Sequence, residues 1–147
     1  MNTIPGSRTF RILVVDDNDA DTYLLRRALI HAGLDCDLTV IDDGAEALAF
    51  ANRQGKYAGS PVPNLSVIDL NLPKYGGNEI LKAIRQNKDL QNLPVVVMTS
   101  SAAPGERARI EELGVERFIT KPPELEDFMQ IGDVFKELLV NRPDRAL

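Results

Sequence analysis

Five short apolar runs, each followed by a stretch with helical spacing, constrain the fold of this chain more than any other feature. The first run is Phe10-Arg-Ile-Leu-Val-Val15, rich in β-branched residues and stopped by Asp16 and Asp17. Such a run reads as a buried strand. Asp19 to Ala32 follows, with Leu24, Leu25, Ala28 and Leu29 near helical spacing, Asn18 placed to cap it and Gly33 to stop it. The same alternation gives strands at Leu38–Ile41, Leu65–Leu70, Val95–Met98 and Glu116–Thr120. It gives helices at Gly44–Gln54, Asn78–Asn87, Pro104–Leu113 and Glu124–Val140. Pro104 suits a first helical position and Gly114 a stop. In the last helix Leu125, Phe128, Ile131, Phe135 and Leu138 are expected on one apolar face. Gly55–Asn64, with two prolines, reads as a loop slightly long for a compact α/β connection.

Strands that are apolar throughout, rather than alternating, are buried on both faces, as in a parallel sheet covered by helices. Right-handed crossovers then predict a doubly wound α/β sandwich on a five-stranded parallel sheet. No repeat or linker interrupts the pattern. Residues 10–140 are expected to form one domain, with short tails at 1–9 and 141–147 and no output domain.

Composition excludes several classes of function. A chain of 147 residues buries enough surface to fold without a metal or disulfide staple. Its formal charge of −5 repels phosphate backbones, which argues against direct binding of DNA or RNA. The single cysteine, Cys36, cannot form an internal disulfide, and this fits a reducing cytoplasm. No run approaches the roughly 18 apolar residues of a membrane span.

Ligands of open parallel sheets bind beyond the carboxyl ends of the strands. The first strand ends in Asp16 and Asp17, the third in Asp69 and the fourth in Thr99, and Lys121 follows the fifth. Three carboxylates, a hydroxyl and an ammonium therefore converge on one edge. The carboxylates repel each other unless a divalent cation joins the lysine, and an all-oxygen set suits Mg²⁺ rather than zinc. With donors from Thr99 and Lys121, such a site can hold a phosphoryl group in flight. Asp69, on the strand expected at the centre, is the candidate nucleophile.

These residues lie in five ordered blocks: Ile12-Leu-Val-Val-Asp-Asp-Asn18, Asp42-Asp-Gly-Ala-Glu-Ala-Leu48, Val67-Ile-Asp-Leu-Asn-Leu-Pro-Lys74 with Gly77, Val96-Val-Met-Thr-Ser100 and Phe118-Ile-Thr-Lys-Pro122. Together they resemble the receiver domain of bacterial two-component response regulators from about Arg11 to Val140. Thr99 stands 30 residues past Asp69 and Lys121 stands 52 past it, and both offsets match a common spacing of that family. The resemblance implies a flavodoxin-like sheet of strand order 2-1-3-4-5. It implies that Asp69 accepts a phosphoryl group from a sensor histidine kinase. Asp16, Asp17, Asp69 and the backbone carbonyl of Asn71 would hold Mg²⁺. Lys121 would pair with the phosphoryl group, Thr99 would hydrogen-bond it, and Phe118 would turn inward as the switch aromatic. It also implies a cis Lys121-Pro122 bond aiming the lysine. Leu72-Pro-Lys74 and the long loop resemble stand-alone regulators paired with bacterial phytochromes. A downstream protein, a phosphotransfer protein or a second copy would then receive the signal.

The chain is thus read as a phosphoacceptor rather than an enzyme, catalysing its own phosphotransfer and dephosphorylation at most. A receiver-like module working without phosphorylation would have lost an Asp, Thr or Lys, and none is lost. A phosphohydrolase with an aspartyl nucleophile would carry a second Asp two positions on, where this chain has Asn71. Neither GxGxxG nor GxxxxGK[ST] occurs, which disfavours a nucleotide site. Asp16, Asp17, Asp19 and Asp21 also suit a helix start, His31 suits a helix C-terminus, and Cys36 reads as an inert residue in a connection.

Overall fold

The computed structural model describes residues 9–72, 75–100 and 103–140. Expectations for the tails and for Lys74 lie outside the described residues. Five parallel strands, β1 (Phe10–Val15), β2 (Cys36–Ile41), β3 (Leu65–Ile68), β4 (Val95–Thr99) and β5 (Arg117–Thr120), lie in the order β2-β1-β3-β4-β5. The helices are α1 (Asp19–His31), α2 (Gly44–Ala51), α3 (Gly77–Gln86), α4 (Pro104–Glu112), α5 (Leu125–Met129) and α6 (Ile131–Val140). Alternate side chains of each strand enter opposite cores. Leu13, Val15, Ile68, Val95 and Val97 pack with Phe50, Ile80, Leu81, Ile84 and Ile110 of α2, α3 and α4. Ile12, Val14, Leu65, Val67 and Val96 pack with Leu25, Leu29, Phe128, Ile131 and Phe135 of α1, α5 and α6. The doubly wound sandwich and its strand order are as expected.

The apolar runs at the centre are the strands buried along their whole length, β3 and β4. The edge strands are half exposed. That is why β2 begins earlier than the expected Leu38: Cys36 and Asp37 pair with Phe10 and Arg11, and an edge position tolerates their polarity. Cys36 therefore opens a strand rather than lying in a connection.

Helix ends follow local chemistry. Asn18 caps α1 by accepting from the Asp21 N–H, and Gly33 (φ 78°) closes it as expected. Helix α2 stops at Ala51, short of the expected Gln54. There the Arg53 N–H donates to the Phe50 carbonyl and the Gln54 N–H to the Ala49 carbonyl. This pairing terminates a helix through a left-handed residue, usually Gly, but here Arg53 at φ 54°. The absence of a glycine at that point hid the stop. The expected single last helix is two, divided at Gln130. Gly132, in the first turn of α6, lies against the Ala28 backbone of α1 so closely that a Cβ would overlap its carbonyl oxygen. Phe128, Ile131, Phe135 and Leu138 are buried as expected, but Leu125, in the short piece before the turn, is 59% exposed.

The long loop is packed down. Tyr57 meets the Phe50 ring edge-on at 5.8 Å and donates its hydroxyl hydrogen bond to Glu46, which also pairs with Lys56. The Arg53 guanidinium donates to the Ser60 carbonyl. A cleft lined by Arg11, Leu13, Thr39, Phe50, Tyr57 and Pro61 opens beside the first half of β1. Among the described residues, no helix is long and apolar enough to cross a membrane.

Candidate functional site

The sheet delivers its site residues with little freedom. The ladder runs one step beyond the strands: the Asp16 N–H donates to the Ile41 carbonyl at 3.1 Å and the Asp69 N–H to the Val15 carbonyl at 2.9 Å. On the other side the Lys121 N–H donates to the Thr99 carbonyl at 2.7 Å. The ends of β2, β1 and β3 are thereby locked side by side, as are the end of β4 and the start of the β5–α5 connection.

Asp16, Asp17 and Asp69 each offer a carboxylate oxygen within 4.8 Å of the others. Asp16 and Asp69 are buried and Asp17 is exposed. The Lys121 ammonium sits among them, 2.9 Å from Asp16 Oδ2 and 3.0 Å from Asp69 Oδ2. A third carboxylate, Asp21 Oδ2, lies nearer still at 2.7 Å. Asp21 as a partner of the lysine is the contact that sequence reading missed. It looked like one of several acids at a helix start. Its signal was its position in the first turn of the helix that begins directly behind Asp16 and Asp17.

The electrostatics of the cluster are lopsided. Burial pushes the Asp16 carboxyl upward, and the Asn18 N–H at 2.8 Å and the Lys121 ammonium only partly offset this. Burial alone would lower the Lys121 pKa, but hydrogen bonds to Asp21, Asp16 and Asp69 outweigh it and the ammonium is held charged well above its ordinary range. With four carboxylates around one ammonium, the pocket carries a formal charge of −3. Such an all-oxygen cluster with excess negative charge fits a hard divalent cation.

Asn71 joins the nucleophile candidate to the switch candidate. Its backbone N–H donates to Asp69 Oδ1 at 2.9 Å, and its side-chain amide donates to Thr99 Oγ1 at 2.7 Å. Thr99 is fully buried. Asp69 thus accepts from Asn71 on one oxygen and from Lys121 on the other. Phe118 is not among these groups. It pairs with Val97 in the β4–β5 ladder, packs half-buried at the margin of the core, and has the Arg107 guanidinium 4.7 Å over its ring. Asp43, of the second sequence block, caps α2 by accepting from the Ala45 N–H, and lies in no carboxylate cluster with the site. His31 occupies the exposed end of α1.

The Lys121-Pro122 bond corrects an expectation. The described residues contain no cis peptide bond. The trans form is the intrinsically favoured one, and the Lys121 hydrogen bond to the Thr99 carbonyl already points the side chain into the cluster.

A pocket of carboxylates at the end of a 2-1-3-4-5 sheet, with a strand-end hydroxyl and a lysine, defines a phosphoryl-accepting signalling domain. Residues 12–132 match the family described as "Response regulator receiver domain". The response regulator Rcp1 of Synechocystis sp. is 42% identical over 120 residues, covering 82% of each chain. Among solved structures, the phosphorylated cyanobacterial phytochrome response regulator RcpA superposes with a TM-score of 0.83 at 32% identity, covering 93% of this chain and 98% of the other. The Mn²⁺-bound form of Rcp1 superposes with a TM-score of 0.81 at 37% identity, covering 92% and 97%. The chain belongs to the response regulator receiver family and acts in phosphorelay signal transduction. Receiver domains are phosphoacceptors that obtain their phosphoryl group from histidine kinases.

Proposed function

We propose that residues 10–140 form a receiver whose phosphoacceptor is Asp69, loaded from a sensor histidine kinase with Mg²⁺ bound. The observation that carries this reading is the meeting of Asp16, Asp17, Asp69 and Lys121 in one cluster, with the buried Thr99 hydroxyl tied to it through Asn71. An Asp69 oxygen attacks the phosphorus of a phosphohistidine, the P–N bond breaks, and the imidazole nitrogen leaves with the bonding pair. Asp16, Asp17, Asp69 and the Asn71 backbone carbonyl would hold Mg²⁺, which supplies charge neutralisation to the carboxylates and the transferring group. Lys121 is already charged and lies against Asp69, so it meets a phosphoryl oxygen without reorganisation. The Thr99 hydroxyl then leaves the Asn71 amide for another phosphoryl oxygen. That movement empties space beside β5, and Phe118 must give up its contact with Arg107 to fill it. The protein acts as a phosphoacceptor rather than a turnover enzyme.

The donor we favour is a phytochrome-class histidine kinase. Support comes from the similarity to RcpA, which is described as a phytochrome response regulator, over nearly its whole length. A downstream or phosphotransfer protein, or a second copy of the chain, reads the switched surface, in the cytoplasm and without direct contact to DNA or membrane.

Incubation with acetyl phosphate and Mg²⁺ should add one phosphoryl group that is stable in acid and labile in base. A chelator should reduce uptake to background, and uptake that ignores the chelator would refute the cation's place in the site. Thr99→Ala is expected to load at a rate within about threefold of wild type and to lose at least tenfold of its phosphorylation-dependent partner binding. Partner binding by calorimetry, with and without phosphorylation, checks this; an unchanged increment removes Thr99 from the switch.

A further inference from the structure

Lys121 has three ammonium protons and three carboxylate partners, and one of the three is not part of the phosphoacceptor chemistry. Asp16 and Asp69, with Asp17, form the set whose carboxylate oxygens lie within 4.8 Å of one another and could hold a cation, whereas Asp21 touches the lysine but is not one of that set. Yet Asp21 makes the shortest of the three contacts, at 2.7 Å. The lysine side chain is 6% exposed and that of Asp21 22%. The Asp21 backbone is itself fixed, since its N–H donates to the Asn18 side chain at 3.0 Å in the α1 cap. Its carboxylate therefore projects from a rigid helix start rather than from a loop.

We propose that Asp21 is a positioning residue for Lys121. This rests on the reading of Lys121 as the phosphoryl-pairing cation. When the cluster holds a cation, Asp16 is drawn to that charge. When Asp69 carries the phosphoryl group, its own oxygen no longer meets the ammonium directly. Asp21 is the partner left in both states, and it keeps the ammonium in the dry pocket and aimed at the incoming phosphoryl oxygen. Without it the long side chain has one fewer fixed acceptor and regains the rotamer freedom that a lysine loses on ordering.

The test uses the full chain, acetyl phosphate as the donor and saturating Mg²⁺. Asp21→Asn preserves shape and removes the charge, and should lower the loading rate constant about tenfold, the loss of one charge-assisted hydrogen bond. Lys121→Met should lower it at least as far, and Asp21→Asn added to Lys121→Met should lower it no further. Asp19→Asn removes an acid from the same helix turn without touching the lysine, and should load at the wild-type rate. A second readout needs neither cation nor donor: the Lys121 ammonium should give a solvent-protected NMR signal that survives Asp19→Asn and disappears in Asp21→Asn. Wild-type loading by Asp21→Asn, additive losses in the double variant, or equal losses in Asp19→Asn would each overturn the positioning role. Normal loading by Lys121→Met would instead overturn the reading of the lysine on which it rests.

Discussion

Asp69→Asn should abolish phosphoryl uptake and leave the fold intact. The amide keeps an oxygen that can accept from the Asn71 N–H, as Asp69 Oδ1 does at 2.9 Å, so the local turn survives. What disappears is the carboxylate proposed as the nucleophile. Asp16 and Asp17 are close, within 4.8 Å, but Asp16 is tied to the Asn18 N–H and to Lys121. Neither should substitute. The expected loss in loading rate is at least about a thousandfold, in the range seen when a covalent nucleophile is removed. Stability should barely change. The variant loses the lysine's 3.0 Å contact with Asp69 but also loses like-charge repulsion within the cluster, and the two effects oppose each other. Melting within about 4 °C of wild type is expected, equivalent to roughly 1 kcal/mol. Intact-mass measurement after acetyl phosphate treatment checks the first statement and calorimetry the second.

Gly77→Ala damages the fold and the site together. A Cβ at Gly77 would stand 2.5 Å from the Asp69 carbonyl oxygen and 2.9 Å from the Leu70 Cα. Both are backbone atoms, so no side chain can swing away. Helix α3 would have to withdraw from the end of β3, opening the packing of Ile80, Leu81 and Ile84 against the sheet. Overpacking of this kind costs about 3 kcal/mol, which lowers Tm by about 10 °C for a chain of this size. The peptide that must move first is the one that follows Asp69, the proposed phosphoacceptor, so loading should also fall, by about tenfold at a temperature where the variant is fully folded. A variant with wild-type Tm and loading rate would show that the α3–β3 contact is looser than described.

The sheet and the position of its site were legible because the signals were local and redundant. Continuous apolar runs mark β3 and β4 as central, and their polar terminators, Asp69 and Thr99, must then emerge at one edge. The lesser readings failed where a tertiary contact replaced a local signal. Arg53 ends α2 in a conformation that usually calls for glycine, so the sequence around it reads as helix to Gln54. The apolar stripe from Leu125 to Leu138 has the spacing of one helix, but the chain divides it at Gln130, and Leu125 at the start of the short first piece lies in solvent. Gly77 was noticeable as part of a motif, whereas its reason, the carbonyl of Asp69, lies across a turn. Asp21 illustrates the limit most clearly. An acid near a helix start always has a sufficient local explanation in the helix dipole, and only the 100-residue separation from Lys121 being closed by the fold reveals the other one.

Borohydride reduction tests the central claim most directly. The protein is loaded with acetyl phosphate in Mg²⁺, treated with borohydride to convert any aspartyl phosphate to homoserine, and digested for peptide sequencing by mass spectrometry. The account predicts homoserine at residue 69 and aspartate at residues 16, 17 and 21. Homoserine at any of those three, or loading with residue 69 still aspartate, would contradict it.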